Sequence, residues 1–186
     1  MVNAVVEEQN VAPLKLDIGC GKNKQAGFIG VDAIAFEGVD IVHDMREPWP
    51  WQDNSVEQVH CSHFVEHLTN VERIHFWNEL GRVMKPAGKD PANIFARIVV
   101  PHWTNACAYG DPTHQWPPMS EWAVYYLNKA WRDVNAPHVP ITCDFDFVVG
   151  GSWDPWLETR NQETKMFAMS RYINSYRDLI ITLTKR

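Results

Sequence analysis

The sequence has few of the features that mark exported, membrane-bound or nucleic-acid-binding proteins. Its 186 residues contain no apolar run near the roughly 20 residues that a transmembrane helix needs. Lysine and arginine form no run and the formal net charge is −6, so attraction to nucleic acid or an anionic membrane is not favoured. Residues 1–13 lack a basic segment followed by an apolar one, unlike a signal peptide. We therefore expect a cytoplasmic protein with no membrane contact, for which nucleic acid is a disfavoured partner.

Cysteine is also scarce, and no two cysteines form a CxxC pair. The four of them are widely spaced, at Cys20, Cys61, Cys107 and Cys143. A disulfide framework or a zinc site made of thiolates is therefore not expected. Hydrophobic residues make up 45% and charged residues 22% of the chain, as in ordinary globular proteins. The length suits one domain over residues 1–186, with residues 1–13 as an N-terminal extension.

Tryptophan, by contrast, is abundant. Six of the nine tryptophans lie between positions 103 and 156. Large aromatic side chains fill cores and also line ligand cavities, and either role is open for a single residue. Their clustering on loop-like sequence favours a pocket wall. Residues 101–140 contain six prolines, and we interpret them as an insertion that binds an acceptor molecule.

Apolar patterns along the chain alternate strands with helices and loops. A capping box at Thr69 and Glu72 begins a predicted helix over 69–85, which Pro86 and Gly88 end. Two further helices are predicted from Ser120 to about 133 and over 165–173. Strands are predicted at 14–18, 28–31, 40–43, 56–61, 94–100, 141–149 and 178–184. This order indicates an α/β fold with a mostly parallel sheet, which binds ligands at the carboxyl ends of its strands.

The motif that indicates chemistry directly follows the first predicted strand. Residues 16–21 read Leu-Asp-Ile-Gly-Cys-Gly, and a glycine turn after a buried strand lets a ligand approach the backbone closely. Asp32 ends the second strand, where a carboxylate can accept the hydroxyl hydrogens of a ribose. Asp44 follows the third strand, within reach of an adenine amino group. Together these residues predict a rim that binds a nucleoside.

What this motif lacks indicates which nucleoside it binds. Lys24 stands where the dinucleotide fingerprint has its third glycine, and Asp32 follows Gly21 by 11 residues instead of about 20. Residues 22–27 are too few for the usual helix whose N-terminus holds a pyrophosphate. Asp17 would lie close to any phosphate, whereas a carboxylate suits a cationic group. NAD is therefore disfavoured, and S-adenosylmethionine fits better.

With these motifs in place, the sequence resembles class I S-adenosylmethionine-dependent methyltransferases. Residues 16–21 resemble the first motif of that family and residues 27–32 resemble the second. Further stretches follow in the family's order, at 53–56, 62–68 and 79–88. Their spacing is similar to that of a short bacterial branch often linked to polysaccharide biosynthesis. The resemblance covers roughly residues 14–100, and it implies a Rossmann-like sheet of seven strands with an antiparallel last strand.

The resemblance also implies which residues bind the cofactor. These are Asp17, Gly19 and Gly21, with Cys20 between the glycines, for the methionine part; Asp32 for the ribose; Asp44 and Met45 for the adenine; and Ser62 and His63 for the sulfonium end. The usual first helix of the family is reduced or missing in residues 22–27. Weaker cofactor binding, or closure of the cofactor face by residues 101–140, is the expected consequence.

Two histidines fall where loops that bind the acceptor belong. Asp111 could orient His114 as a general base, because a carboxylate fixes the tautomer of an imidazole and raises its basicity. Alternatively, Asp111 and Pro112 begin a turn and His114 bonds the backbone. His102 is a weaker candidate for the base.

No metal is expected from these histidines. A set of His102, His114 and a carboxylate has suitable ligand types, but its spacing matches no familiar zinc pattern. His60, His63 and His67 lie on a strand end and the following turn, where packing or cofactor contacts explain them more simply.

Motifs that the sequence lacks disfavour some classes of acceptor molecule. Residues 61–64 read Cys-Ser-His-Phe at the place where amino methyltransferases of DNA bases carry an Asp/Asn-Pro-Pro-aromatic motif. Methylation of a cytosine carbon needs a nucleophilic cysteine after a proline, and the sequence contains no Pro-Cys pair. We therefore expect a small molecule or a glycan. The alternative is a non-catalytic, methyltransferase-like binding module or partner subunit. The short 22–27 link favours that alternative, whereas the carboxylates of Asp17, Asp32 and Asp44 count against it.

Overall fold

A computed structural model of the protein describes residues 13–186, and seven strands of this part form one sheet. They are β1 (Lys15–Ile18), β2 (Ile29–Asp32), β3 (Ile41–Val42), β4 (Gln58–Ser62), β5 (Phe95–Pro101), β6 (Phe145–Trp153) and β7 (Tyr176–Lys185). Their spatial order is β3-β2-β1-β4-β5-β7-β6. The first five strands pair in parallel, and β7 is antiparallel to both β5 and β6. The predicted α/β class and antiparallel last strand are confirmed, while the predicted N-terminal extension lies, except for Pro13, outside the described residues.

Helices and turns connect these strands. They are a 3₁₀ turn (Val65–His67) and the helices α1 (Asn70–Val83), α2 (Cys107–Gly110), α3 (Glu121–Tyr125), α4 (Lys129–Asn135), α5 (Pro155–Glu158) and α6 (Gln162–Met169). Within residues 13–186, no helix combines the length and apolarity that crossing a bilayer requires.

The core lies between one face of the sheet and α1. In β4, β5 and β7, buried residues alternate with more exposed ones, as the two-residue period of a strand requires. The buried strand residues include Leu16, Ile18, Val59, Cys61, Ile98 and Ile181. They form one apolar cluster with Phe76, Trp77 and Leu80 of α1. The sheet is therefore anchored to a single long helix.

The start of α1 confirms the predicted capping box. The Thr69 hydroxyl accepts from the backbone N–H of Glu72 at 3.4 Å, and the Glu72 carboxylate accepts from the N–H of Thr69 at 2.7 Å. Gly81 on the same helix is in tight contact with residue 143, because a Cβ at position 81 would lie 2.5 Å from the Cβ of Cys143. The helix thereby holds the segment that leads into β6.

The helix predicted from Ser120 to about 133 is divided into α3 and α4. Asn128 causes the division, because its backbone is extended and its side chain accepts from the N–H of Trp131, which caps α4. The predicted strand 141–149 begins later, at Phe145. Residues 140–142 bond instead to Asn78 of α1, which donates to the Pro140 carbonyl and accepts from the Thr142 N–H.

The helix predicted over 165–173 is shifted towards the N-terminus, to Gln162–Met169, because Asn161 caps it by accepting from the Thr164 N–H. The expected loss of a helix after β1 is confirmed. Residues 19–28 contain turns and irregular backbone but no helix, so the loop passes directly from β1 to β2.

Candidate functional site

The predicted nucleoside rim is assembled where β1 and β2 end. Gly19 and Gly21 have φ angles of 67° and 51°, a left-handed conformation that favours glycine. A Cβ at Gly19 would lie 2.5 Å from the Phe64 ring, whereas one at Gly21 would meet open space. Asp32 accepts from the N–H of Gly21 and from the N–H of Ile34, both at 2.9 Å. These bonds hold the Asp32 carboxylate beside the open space at Gly21, the place where a ribose contact was predicted.

Asp17 lies below this rim and is almost completely buried. One carboxylate oxygen is 2.7 Å from Nδ1 of His60, and the other accepts from the N–H of Gln25 at 2.6 Å. The carboxylate therefore ties the short 22–27 link to β4. Its contact with a methionine group stays a prediction, and in this arrangement Asp17 supports the glycine turn from beneath.

The predicted adenine residues follow β3. Asp44 accepts from the Arg46 guanidinium at 2.6 and 2.9 Å, and this pairing lowers the pKa of Asp44 to about 2. The Met45 side chain is buried, and its carbonyl accepts from the Trp49 indole at 3.1 Å. Met45 as a whole is 2% exposed, so its contact with an adenine stays a prediction. On the other side of the rim, burial raises the pKa of the Cys20 thiol, which is consistent with a packed, unreactive cysteine.

Ser62 and His63 lie where β4 ends, between the rim and a second region. His63 has a φ of 54°, a conformation that is uncommon for any residue other than glycine. Its Nδ1 is 3.3 Å from Glu66 Oε1 and its Nε2 is 3.8 Å from Asp178 Oδ1. The Glu66 carboxylate raises the pKa of His63 above its ordinary value.

His63 borders a cavity of about 1100 Å³. One wall comes from the segment after β4, with His63, Glu66 and His67. The opposite walls come from residues 105–114 of the predicted insertion and from the start of β7. The insertion thus borders a cavity at the carboxyl ends of β4 and β5, where the acceptor was predicted to bind.

The abundant tryptophans do not form the wall of this cavity. No tryptophan of the described chain lines it, so the expectation of a tryptophan pocket wall was wrong here. Trp116 and Trp122 are 74% and 70% exposed. Trp49 and Trp77, in contrast, are buried in the core.

Asp111 and His114 lie together at the cavity, although their contact is loose. Nε2 of His114 is 3.8 Å from Asp111 Oδ2. Asp111 bonds more closely to Thr113, accepting from its hydroxyl at 2.6 Å and its N–H at 2.8 Å, and these bonds lower the pKa of Asp111. The Asp111 carbonyl also accepts from the His114 N–H, so the predicted turn is present as well.

From the sequence, Glu66 was not considered as a ligand and His67 was set aside in favour of packing or cofactor contacts, but both line the cavity. The Glu66 side chain is buried, and neither carboxylate oxygen has a hydrogen-bond partner among the described residues. The rings of His67 and His114 are 4.7 Å apart. One ligand atom from each of Glu66, His67 and His114 lies within 4.8 Å of the others. The adjacent Glu-His pair after β4 was the available signal, but nothing in the spacing shows that His114 joins it.

The other histidines considered for a metal are engaged elsewhere. His102 is completely buried, with Nδ1 2.7 Å from the Thr104 hydroxyl and Nε2 3.2 Å from Glu121. His60 bonds to Asp17, as described above. A set made of His102 and His114 is therefore not assembled.

The fold is similar to that of several solved S-adenosylmethionine-dependent methyltransferases. A solved methyltransferase of this kind from Archaeoglobus fulgidus matches with a TM-score of 0.65 and 22% identity, over 95% of this chain and 87% of that one. A chain from the Haloferax volcanii complex between a methyltransferase activator and a putative methyltransferase matches at 0.55, with 15% identity over 93% and 82%. Phosphoethanolamine N-methyltransferase 2 of Haemonchus contortus, with S-adenosylhomocysteine, matches at 0.56, with 14% identity over 94% and 49%. No protein-family model and no curated protein sequence matches the chain.

Proposed function

We propose that this protein transfers a methyl group from S-adenosylmethionine to a small-molecule or glycan acceptor. The observation that carries the proposal is the continuity of the carboxyl edge of the sheet. The rim at Gly21 and Asp32, the histidine at position 63 and the 1100 Å³ cavity follow one another along this edge. A nucleoside cofactor and an acceptor would therefore meet near His63.

The residues of the rim fit this cofactor. Asp32 is oriented by two backbone N–H groups, and each of its oxygens keeps a lone pair for a ribose hydroxyl. The open space at Gly21 admits the ligand against the backbone. Bound S-adenosylmethionine supplies an activated methyl group on a sulfonium. The protein's part is to hold the acceptor in line with that group.

The cavity suits an acceptor that carries several hydroxyl groups. Its wall includes Asn105, Asp154, Asn174, Arg177 and Asp178, which offer both hydrogen-bond donors and acceptors. This wall supports a sugar or a polar metabolite, in keeping with the resemblance to the polysaccharide-linked branch. We assign the protein to the cytoplasm, and its four free cysteines suit such a reducing compartment.

A base is needed only where the acceptor must lose a proton. We propose His114, oriented by Asp111, for that step, since both residues line the cavity. His63 lies closer to the rim and would position the acceptor beside the sulfonium.

Thermal unfolding with S-adenosylmethionine, S-adenosylhomocysteine or NAD tests the cofactor. A ligand at 100 times its Kd adds about 2.7 kcal/mol of stability, roughly 5–10 °C for a chain of this length. We expect this rise with the two adenosyl ligands and not with NAD. Asp32→Ala should weaken binding by about 1–3 kcal/mol, because charge-assisted hydrogen bonds are left unmade.

Glu37→Ala is the matched control, because Glu37 is an exposed acid in the loop that follows β2. It should bind the cofactor like the wild type. If no ligand raises the unfolding temperature of the wild type, the non-catalytic module becomes the better interpretation, and a protein partner should be sought by pull-down.

A further inference from the structure

The cavity wall contains a buried carboxylate, Glu66, that accepts no hydrogen bond from the described part of the chain. Glu66 is 4% exposed, and neither Oε1 nor Oε2 has a hydrogen-bond partner among residues 13–186. The neighbouring Arg73 does not supply one, because its guanidinium donates to the carbonyls of residues 65, 66, 115 and 117. His63 forms an ion pair with Glu66 at 3.3 Å, but it lacks hydrogen-bond geometry and leaves both carboxylate oxygens able to accept. Burying a carboxylate in this way is costly unless another group compensates its charge.

Two imidazoles near Glu66 indicate that a metal ion could compensate the charge of its carboxylate. Ligand atoms of Glu66, His67 and His114 lie within 4.8 Å of one another, the spacing of atoms around one metal ion. The two histidines come from different segments, the 3₁₀ turn after β4 and the insertion. Arg73 fixes these segments to each other through the four carbonyls named above.

The hydrogen bonds around His67 set its tautomer. The Thr113 hydroxyl donates its single proton to Asp111 at 2.6 Å, and it is 2.9 Å from Nδ1 of His67. Because that proton is committed to Asp111, the hydroxyl accepts from Nδ1–H of His67. Nε2 of His67 therefore keeps its lone pair. Such an outer partner is typical of histidines that bind a metal.

His114 shows the complementary pattern. Its Nε2 faces Asp111, with 3.8 Å between Nε2 and Oδ2, while its Nδ1 is buried without a partner among the described residues. A proton on Nε2 leaves the lone pair on Nδ1. Asp111 thus orients His67 through Thr113, and it lies near Nε2 of His114 without a hydrogen bond to it.

We propose that Glu66, His67 and His114 bind one divalent transition-metal ion, with Zn²⁺ as the reference ion. Two imidazoles and one carboxylate suit Zn²⁺ and its first-row neighbours, whereas Mg²⁺ prefers oxygen ligands. Three protein ligands leave further coordination positions open. These positions face the cavity, which the same three residues line.

The open positions would take an oxygen ligand from the acceptor, and this consequence rests on the proposed methyl transfer. A metal-bound hydroxyl loses its proton more readily, so with the ion bound the ion would activate the acceptor, and His114, as a ligand, would act as the base only in the metal-free protein. Binding of the ion itself depends only on the three side chains.

Metal titration of the untagged, chelator-treated protein tests the site. Calorimetry with Zn²⁺ should show one ion per chain, and Co²⁺ should give a visible absorption spectrum in the same stoichiometry. Glu66→Gln, His67→Ala and His114→Ala should each weaken Zn²⁺ binding at least about 10-fold, and Thr113→Val about 10-fold through His67. His138→Ala, which removes an exposed histidine outside the cluster, should bind like the wild type.

The proposal is overturned if the wild type binds no Zn²⁺, or if Glu66→Gln binds it as well as the wild type does. Glu66→Gln keeps the size of the side chain, and its circular dichroism and unfolding temperature without metal show whether it folds. The metal titration needs no cofactor, so the two proposals can fail separately. A wild type that binds S-adenosylmethionine but no Zn²⁺ refutes only the metal site. A wild type that binds Zn²⁺ but no S-adenosylmethionine refutes only the proposed cofactor.

Discussion

The carboxylates at the two ends of the carboxyl edge differ in how the protein satisfies them. At the rim, Asp17, Asp32 and Asp44 each accept hydrogen bonds from the chain itself. In the cavity, Glu66 is as deeply buried as Asp17 and has no such bond in the described chain. The rim acids hold the backbone in shape with or without a ligand. The cavity acid has an ion pair with His63 but accepts no hydrogen bond from the described chain, which is why we propose a bound ion as its partner.

The largest expected effect is a difference in the free energy of unfolding between substitutions of the two buried acids, Asp17 and Glu66. Asp17→Asn should lower the free energy of unfolding by about 2–3 kcal/mol, because it weakens charge-assisted bonds to His60 and to the Gln25 N–H. Glu66→Gln should change the free energy of unfolding of the metal-free protein by less than about 1 kcal/mol, since no hydrogen bond is lost and the ion pair that is lost is with the half-exposed His63. Urea unfolding in the presence of a chelator measures both. Equal destabilisation by the two variants would remove the contrast between rim and cavity.

A smaller effect is expected at His63, which joins the two regions. Its left-handed backbone is unfavourable for a residue with a Cβ, at about 1 kcal/mol relative to glycine. Both His63→Gly and His63→Ala remove the imidazole, but only the glycine variant relieves the backbone. We expect His63→Gly to be more stable than His63→Ala by about 1 kcal/mol in urea unfolding. A more stable alanine variant would show that the backbone conformation changes when the ring is removed.

The smallest effect concerns pH at the rim. Arg46 holds the pKa of Asp44 at about 2, below the ordinary carboxyl value of 3.8. A lowered pKa in the folded state stabilises the protein above the ordinary value, and this contribution is lost as the pH falls towards 2. In Arg46→Ala the Asp44 pKa should return towards 3.8. The stability difference from the wild type should therefore be present at neutral pH and vanish near pH 2.

NMR titration of the Asp44 carboxyl carbon and unfolding across this pH range test the prediction. An unchanged Asp44 pKa in Arg46→Ala would assign the shift to the backbone near residue 44. Lys129→Ala is a suitable control, because it removes a cation that is paired on the exposed surface elsewhere, with Asp133.

The sequence was informative about structure wherever the determining residues are close together in the chain. The glycine turn, the short link to β2 and the Thr69 capping box depend on neighbours, and all three are present as predicted. The division of the helix at Asn128 is also local, but a helical apolar pattern does not reveal that this side chain will cap. The delayed start of β6 depends on Asn78, far away in the sequence, and could not be predicted from the strand pattern.

The candidate site divides in the same way. The rim comes from turns that immediately follow short strands, so its residues were identified from one motif. The cavity combines the segment after β4 with the insertion and with β7. Its key contact, between His67 and His114, is made through tertiary packing around Arg73. The clustered tryptophans wrongly predicted a pocket wall, because the sequence does not show whether an aromatic side chain faces a cavity, the core or solvent.

The position of β7 between β5 and β6 also sets the order in which the molecule can assemble. In the described sheet β6 lies at the edge and pairs with β7, so it joins the sheet only when β7 has inserted. Arg177 and Asp178, which close the cavity, arrive with that same strand. A chain in which β7 is not yet paired would thus lack two residues of the cavity wall. Any ligand that needs the complete cavity binds only the finished sheet, and its binding energy protects the last strand from detaching.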